Sequence, residues 1–78
     1  MRAKKTRLIA VFHTTAAAMA MERACARLGA PGRLIPAPRS ITAGCGMCWA
    51  APPEDGEAVR DAARQAGVEV AGWHVAEI

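Results

Sequence analysis

The stretch TRLIAVFHTT, residues 6–15, decides the fold of this chain. Successive side chains of an extended strand project to opposite sides, and here both sides are apolar. The strand is therefore predicted to lie in the centre of a sheet. A threonine follows directly and is predicted to cap a helix, because its hydroxyl accepts a hydrogen bond from a free backbone N–H. The strand residues are Leu8, Ala10 and Phe12 on one side and Ile9 and Val11 on the other, and the candidate caps are Thr14 and Thr15.

Five further elements follow along the chain. Strong helix formers predict a helix over 16–28 that ends at Gly29. A short edge strand over 32–35 ends at Pro36, and a second strand covers 47–51. The run Pro52-Pro53-Glu54-Asp55 predicts the start of a second helix that ends at Gly67, and a last strand covers 68–75 with a bulge at Gly72. The predicted buried stripes are Ala17, Ala20, Met21, Ala24 and Leu28 in the first helix and Val59, Ala62, Ala63 and Ala66 in the second.

The order strand, helix, strand, strand, helix, strand predicts an α+β, ferredoxin-like βαββαβ sandwich. Its four-stranded antiparallel sheet carries both helices on one face. The other face is expected to be open and partly apolar, with Ile9, Met47 or Cys48, and Trp73 on it. An open apolar face favours a homodimer.

The composition limits the chain to one small domain. It has 78 residues, 53% of them hydrophobic, but 19 of these are alanines, which bury little surface. A thin core of this kind predicts marginal stability. Four of the ten basic residues lie at positions 2–7, so we expect a frayed basic head over 1–7 and a single domain over 8–78.

The charges and the cysteines narrow the functional classes. From Leu8 onward, six basic residues face seven acidic ones, which does not favour a nucleic-acid-binding protein. No apolar run has the roughly 20 residues that a membrane span needs, and the start lacks a full signal core. Three cysteines do not make a disulfide framework, so a cytoplasmic protein with reduced thiols is expected.

Cys45 is the strongest candidate for chemistry. It lies between Gly44 and Gly46 at a loop-to-strand junction, where glycines permit positive φ and free N–H groups can form an anion nest. Arg39 lies nearby in the sequence, and a guanidinium lowers the pKa of a thiol. In an antiparallel sheet the end of the first strand and the start of the third share one end, which brings His13 into the same neighbourhood. By contrast, Cys25 and His74 are expected to have structural or incidental roles.

Two alternatives remain open beside a reactive thiol. Cys45 and Cys48 form a C-x-x-C pair that could hold copper(I), although strand alternation places the two residues on different faces. The chain could also be a non-catalytic interaction or accessory domain. No convergent acid–base set is evident, so a stand-alone enzyme is not favoured, and no cofactor or resident metal is expected.

The chain resembles the small selenium/sulfur carrier protein-like family, also known as the DUF3343 domain. The resemblance rests on FHTT at 12–15, GRLIPAPR at 32–39 and SITAGCG at 40–46, and it extends from Leu8 to Val75. It implies that Cys45 carries reduced sulfur or selenium as a persulfide or selenosulfide, with Arg39 and residues 40–46 as its setting. It also implies donor and acceptor proteins as partners. Cys48 has no counterpart in the family pattern and could resolve a persulfide.

Overall fold

The computed structural model describes residues 5–38, 41 and 46–78. Two helices and four strands account for most of them. Arg39, Ser40 and residues 42–45 lie outside the described part, as do residues 1–4. In chain order the elements are β1 (Thr6–Val11), α1 (Thr15–Leu28), β2 (Arg33–Pro36), β3 (Met47–Ala51), a 3₁₀ turn (Pro53–Asp55), α2 (Gly56–Ala66) and β4 (Gly72–Glu77).

The four strands form one antiparallel sheet in the order β2-β3-β1-β4. This arrangement confirms the ferredoxin-like prediction, including the central place of β1 and the edge place of β2. The register pairs Ile9 with Ala50 of β3 and with His74 of β4. The end of β1, the start of β3 and the start of β4 therefore lie at one end of the sheet, which we name the His13 end.

Both helices pack on the same face of the sheet. Four of the eight buried residues of the two helices are alanines, and larger side chains fill the space between the helices and the sheet. This core consists of Ala10, Phe12, Trp49 and Ala51 from the sheet, Ala18, Met21 and Cys25 from α1, and Val59, Ala62 and Ala63 from α2.

The opposite face of the sheet, which we name the helix-free face, is not open as predicted. Ile9 and Cys48 are 0% exposed there, and Ile41 of the β2–β3 connection is buried in the same cluster. The expectation of a dimer rested on an open apolar face, and in its centre the chain covers that face itself. The helix-free face presents Arg7, Ile9, Val11, Arg33, Ile35, Cys48, Ala50, His74 and Ala76 by strand alternation.

The helix ends follow the predictions, but the orientation of α1 about its axis does not. The Thr14 hydroxyl accepts a hydrogen bond from Ala17 N at 3.1 Å, and Gly29 ends the helix in the left-handed region. However, Leu28 is 41% exposed, while Ala18 and Cys25 are buried. The stripe is rotated because alanines dominate the helix and give little hydrophobic contrast to fix which side is buried. In α2, similarly, Ala66 is exposed beyond the buried part of the stripe.

The last strand begins later than predicted. Val68 and Val70 pack against the helix-side core from the connection before β4, so their alternation is not that of a strand. Gly72 is the first strand residue and pairs with Val11, with no bulge needed. As a result, Trp73 lies on the helix side, with the Arg60 guanidinium 5.3 Å from the centre of its ring.

The start of the described chain is tied to its end. Lys5 N–H donates to the carbonyl of Ile78, and Ile78 N–H donates to the carbonyl of Lys5, at 3.3 and 3.1 Å. Pairing with β4 thus extends into the segment that was expected to be a separate basic head. Across residues 5–38, 41 and 46–78, neither helix has the length and apolar character that crossing a bilayer requires.

Candidate functional site

The predicted site centres on the connection between β2 and β3. Arg39, Gly44 and Cys45 lie outside the described residues, so their predicted roles stay predictions. His13, Gly46 and Cys48 are described, and they define the surroundings of the connection.

Two hydrogen bonds frame the connection. Ala37 N–H donates to the Gly46 carbonyl at 2.9 Å, directly beyond the last strand pair, Pro36 with Met47. Within the segment, Ile41 N–H donates to the Pro38 carbonyl at 3.0 Å. The two residues that flank positions 38–45, Ala37 and Gly46, are therefore hydrogen-bonded to each other.

Gly46 has the backbone conformation that the sequence predicts for a glycine beside the cysteine. The φ of Gly46 is 77°, in the left-handed region, and Gly46 is exposed. A Cβ at this position would meet no described atom within 4 Å, so the backbone conformation, and not crowding, is what requires glycine. Cys45 is bonded to Gly46, so the predicted carrier residue directly precedes this turn.

His13 lies at the same end of the sheet as the start of β3, as predicted. Val11 pairs with Cys48, and His13 follows Val11 by two residues in the bend before the Thr14 cap. The His13 side chain is exposed. The strand ends are thus brought together as expected, while the distance from His13 to Cys45 stays a prediction.

The two described cysteines are both inaccessible. Cys48 is fully buried on the helix-free face, and its neighbour Met47 projects to the helix side. Cys25 is 1% exposed in the helix-side core, and this burial raises the pKa of its thiol, because the anion would lose its hydration. Cys25 is therefore kept in the unreactive thiol form at neutral pH.

Sequence reasoning missed Ile41 in the connection and gave no role to His74 on the far edge strand of the sheet. Ile41 is the buried anchor of the connection, and its signal was present: it is the largest apolar side chain between Pro38 and Gly46. His74 was treated as incidental, yet a Cβ at Gly72 would lie 3.3 Å from its Nε2 and 3.4 Å from Val11. Its imidazole therefore lies on the helix-free face and leans toward the His13 end.

The described residues offer no cluster of metal ligands. Among positions 5–38, 41 and 46–78, no three His, Cys, Asp or Glu side chains come together in a way that could hold an ion. Cys45 lies outside the described residues, so a site shared by Cys45 and Cys48 stays a prediction.

A comparison with protein-family models decides the affiliation. The model described as "Putative Se/S carrier protein-like" matches residues 7–75. The chain belongs to this family. The match covers nearly the whole chain, from the second residue of β1 into β4. No curated protein and no solved structure gives a significant match.

The match to the Se/S carrier protein-like family includes the β2–β3 connection. The matched range contains each candidate site residue, from His13 through Arg39 and Gly44–Gly46 to Cys48. A carrier must also meet other proteins, so the surfaces around this connection matter as much as the thiol.

Proposed function

We propose that the protein carries reduced sulfur or selenium on Cys45 and passes it to a partner protein. The observation that carries this proposal is the family match over 7–75, which includes one cysteine between two glycines. The Gly46 turn and the Ala37–Gly46 hydrogen bond support it, because they hold the base of the connection in place at the residue that follows Cys45.

The transfer step is an exchange between sulfur atoms. The Cys45 thiolate attacks the outer sulfur of a donor protein's persulfide. The bond between the two sulfur atoms of that persulfide breaks, and the donor thiolate leaves with the electron pair. Cys45 then bears the persulfide, and delivery to an acceptor thiolate repeats the same exchange. A donor selenosulfide reacts in the same way at selenium. No net oxidant or reductant is consumed.

Arg39, His13 and the N–H groups of Gly44 and Gly46 are proposed to stabilise the anion. A guanidinium and free backbone N–H groups favour a thiolate over a thiol, and the persulfide is likewise anionic at neutral pH. Such a carrier operates where thiols stay reduced, so we place it in the cytoplasm. A copper(I) site that needs both thiolates is less well supported than the carrier, because the matching family is described as Se/S carrier-like.

The proposal is tested by mass spectrometry after incubation with a cysteine desulfurase and L-cysteine. The wild type is expected to gain the mass of one sulfur atom. Cys25→Ala and Cys48→Ala are expected to gain the same mass, because neither thiol is exposed. Cys45→Ser should gain nothing.

Two outcomes would contradict the carrier. One is the absence of any mass gain on the wild type, and the other is an equal gain on Cys45→Ser. Copper(I) titration of the same variants separates the metal alternative, since a two-thiolate site must weaken in Cys48→Ala, whereas a carrier tolerates that change.

A further inference from the structure

The helix-free face has basic groups around a covered apolar centre. One row of paired residues crosses all four strands, with Arg33 at one edge, His74 at the other, and Ala50 and Ile9 between them. Arg7 projects from the same face, and Lys5 pairs with Ile78, whose side chain belongs to the cluster of this face. Lys5, Arg33 and His74 are exposed.

No acidic side chain projects from the strands on this face. Among the described residues, none of Lys5, Arg7 and Arg33 forms an ion pair. The acidic groups lie on the helices, in the connection before β4, or on the helix side of β4. They are Glu22 in α1, Glu54 and Asp55 in the 3₁₀ turn, Glu57 and Asp61 in α2, Glu69 in the connection and Glu77 in β4.

The spacing of the basic groups favours a large partner. Neighbouring strands lie about 4.8 Å apart, so the backbones of the two edge strands are separated by roughly 14 Å. A single small anion such as hydrosulfide cannot contact Arg33 at one edge and the groups near β4 at once. An acidic surface of another protein spans that width.

The aromatic residues argue against a nucleic acid on this face. Single-stranded nucleic acids are bound by aromatic side chains on which bases stack, combined with basic groups. Phe12, Trp49 and Trp73 all belong to the helix-side core. The helix-free face therefore has the charge but not the stacking surface.

We infer that the helix-free face is the docking surface for an acidic surface of the protein that loads or unloads the carrier. The inference rests on the proposed function, because it names the partner of that transfer. Ile41 anchors the β2–β3 connection in the centre of the face, and Cys45 follows it in the same connection. By the register, Arg33 lies roughly 7 Å, Arg7 roughly 14 Å and Lys5 roughly 20 Å from the row at the His13 end, where the connection begins. A protein surface held by these groups is wide enough to extend to that end.

The first test measures binding of a fluorescent peptide of glutamates at low ionic strength. The wild type is compared with Lys5→Glu/Arg33→Glu on the helix-free face. The matched control is Arg23→Glu/Arg27→Glu, which changes the net charge equally on exposed positions of α1. We expect about tenfold weaker binding for the first variant and less than about threefold for the control.

Several results would overturn the inference. One is equal weakening by both variants, and another is greater weakening by the control. Tighter binding of an oligo(dT) with the same number of charges would assign the face to nucleic acid. A wild-type dimer that Lys5→Glu/Arg33→Glu abolishes would assign it to a second copy of the chain. Because Cys45→Ser should bind the peptide like the wild type, this test does not depend on the transfer chemistry.

The second test links the face to transfer. Loading by the desulfurase is followed over time at low and high salt, and alkylation by neutral iodoacetamide checks the intrinsic reactivity of Cys45. We expect Lys5→Glu/Arg33→Glu to load about tenfold more slowly at low salt, with unchanged alkylation, and salt to remove the difference. Equal loading rates of both charge variants would overturn the link. If the wild type is not loaded at all, the proposed function fails, and the peptide result still decides whether the face binds acidic surfaces.

Discussion

At the scale of single residues, Gly32 is the position where the fold tolerates the least added volume. It has a φ of 127°, a conformation that L residues rarely adopt. A Cβ there would lie 2.7 Å from the carbonyl oxygen of Ala50 and 2.7 Å from Cε2 of Trp49. The Trp49 indole cannot move away freely, because its Nε1–H donates to the Pro31 carbonyl at 3.2 Å.

We predict that Gly32→Ala lowers the free energy of unfolding by roughly 2–4 kcal/mol, through backbone strain and the contact with Trp49. Urea denaturation followed by tryptophan fluorescence measures the change. Gly29→Ala is the control, since Gly29 is also left-handed but a Cβ there meets no described atom within 4 Å. That control should cost only about 1 kcal/mol. Equal losses in the two variants would show that crowding at Trp49 is not important.

Single residues also show where sequence reasoning was limited. The glycine at 46 was expected to permit a positive φ, which it has, while its role beside Cys45 stays a prediction. Leu28 was expected on the buried stripe of α1 but is exposed, while Ala18 is buried, because a helix of alanines has no strong apolar side to define its orientation. The orientation of α1 about its axis is set by its packing against the sheet, and the helix sequence by itself carries little information about that packing.

At the scale of elements, the cap of α1 connects the central strand to the helix beside the candidate site. The Thr14 hydroxyl accepts the Ala17 N–H, while Thr15 is the first residue of the helix. Removal of the cap leaves one backbone donor at the helix start without its protein acceptor.

We predict that Thr14→Ala lowers the free energy of unfolding by about 1 kcal/mol, and that Thr14→Ser retains most of it. The control, Thr15→Ala, should stay within about 0.5 kcal/mol of the wild type. Thermal unfolding followed by circular dichroism at 222 nm, the usual helix signal, would measure all three variants. A loss in Thr15→Ala as large as that in Thr14→Ala would contradict the role of this cap.

The elements with local signals were the predictable ones. β3 was predicted at the residues where it occurs, and the two helices end at the glycines expected. The start of β4 was predicted too early. Val68 and Val70 alternate like strand residues, but they lie in the connection before β4 and pack against the helix-side core. The start of a strand at an edge depends on its partner: here Ala71 N–H donates to Val11 at 2.7 Å, and pairing begins at Gly72.

At the scale of the whole molecule, the two faces of the sheet differ in the side chains that they bury and expose. The helix side buries the aromatic residues and supplies the main core. The helix-free side combines a small apolar cluster with basic groups at its edges. The sequence alone could not show this separation, since Arg33 is far from Lys5 and Arg7 along the chain and shares a face with them only through the register.

Ile41 joins this architecture to the candidate site. It is the buried residue of the described part of the β2–β3 connection, where Ala37 also packs, and it belongs to the cluster that contains Ile9 and Cys48. In a domain of 78 residues whose core is rich in alanine, one such side chain is a substantial part of the apolar surface on that face.

We predict that Ile41→Ala lowers the free energy of unfolding by roughly 2–4 kcal/mol and makes Cys48 accessible in the folded protein. Cys48 is 0% exposed, so its alkylation by iodoacetamide in the wild type requires opening of the face, and loss of the Ile41 side chain should accelerate it at least about tenfold.

Peptide mapping by mass spectrometry separates Cys48 from Cys25, which lies under the helices and should keep its wild-type rate relative to global unfolding. The control is Val75→Ala, because Val75 is 64% exposed on the other side of the sheet and its truncation should change neither quantity. An unchanged Cys48 rate in Ile41→Ala would show that the face is closed by contacts other than Ile41, and the connection would then be free to move without uncovering the sheet.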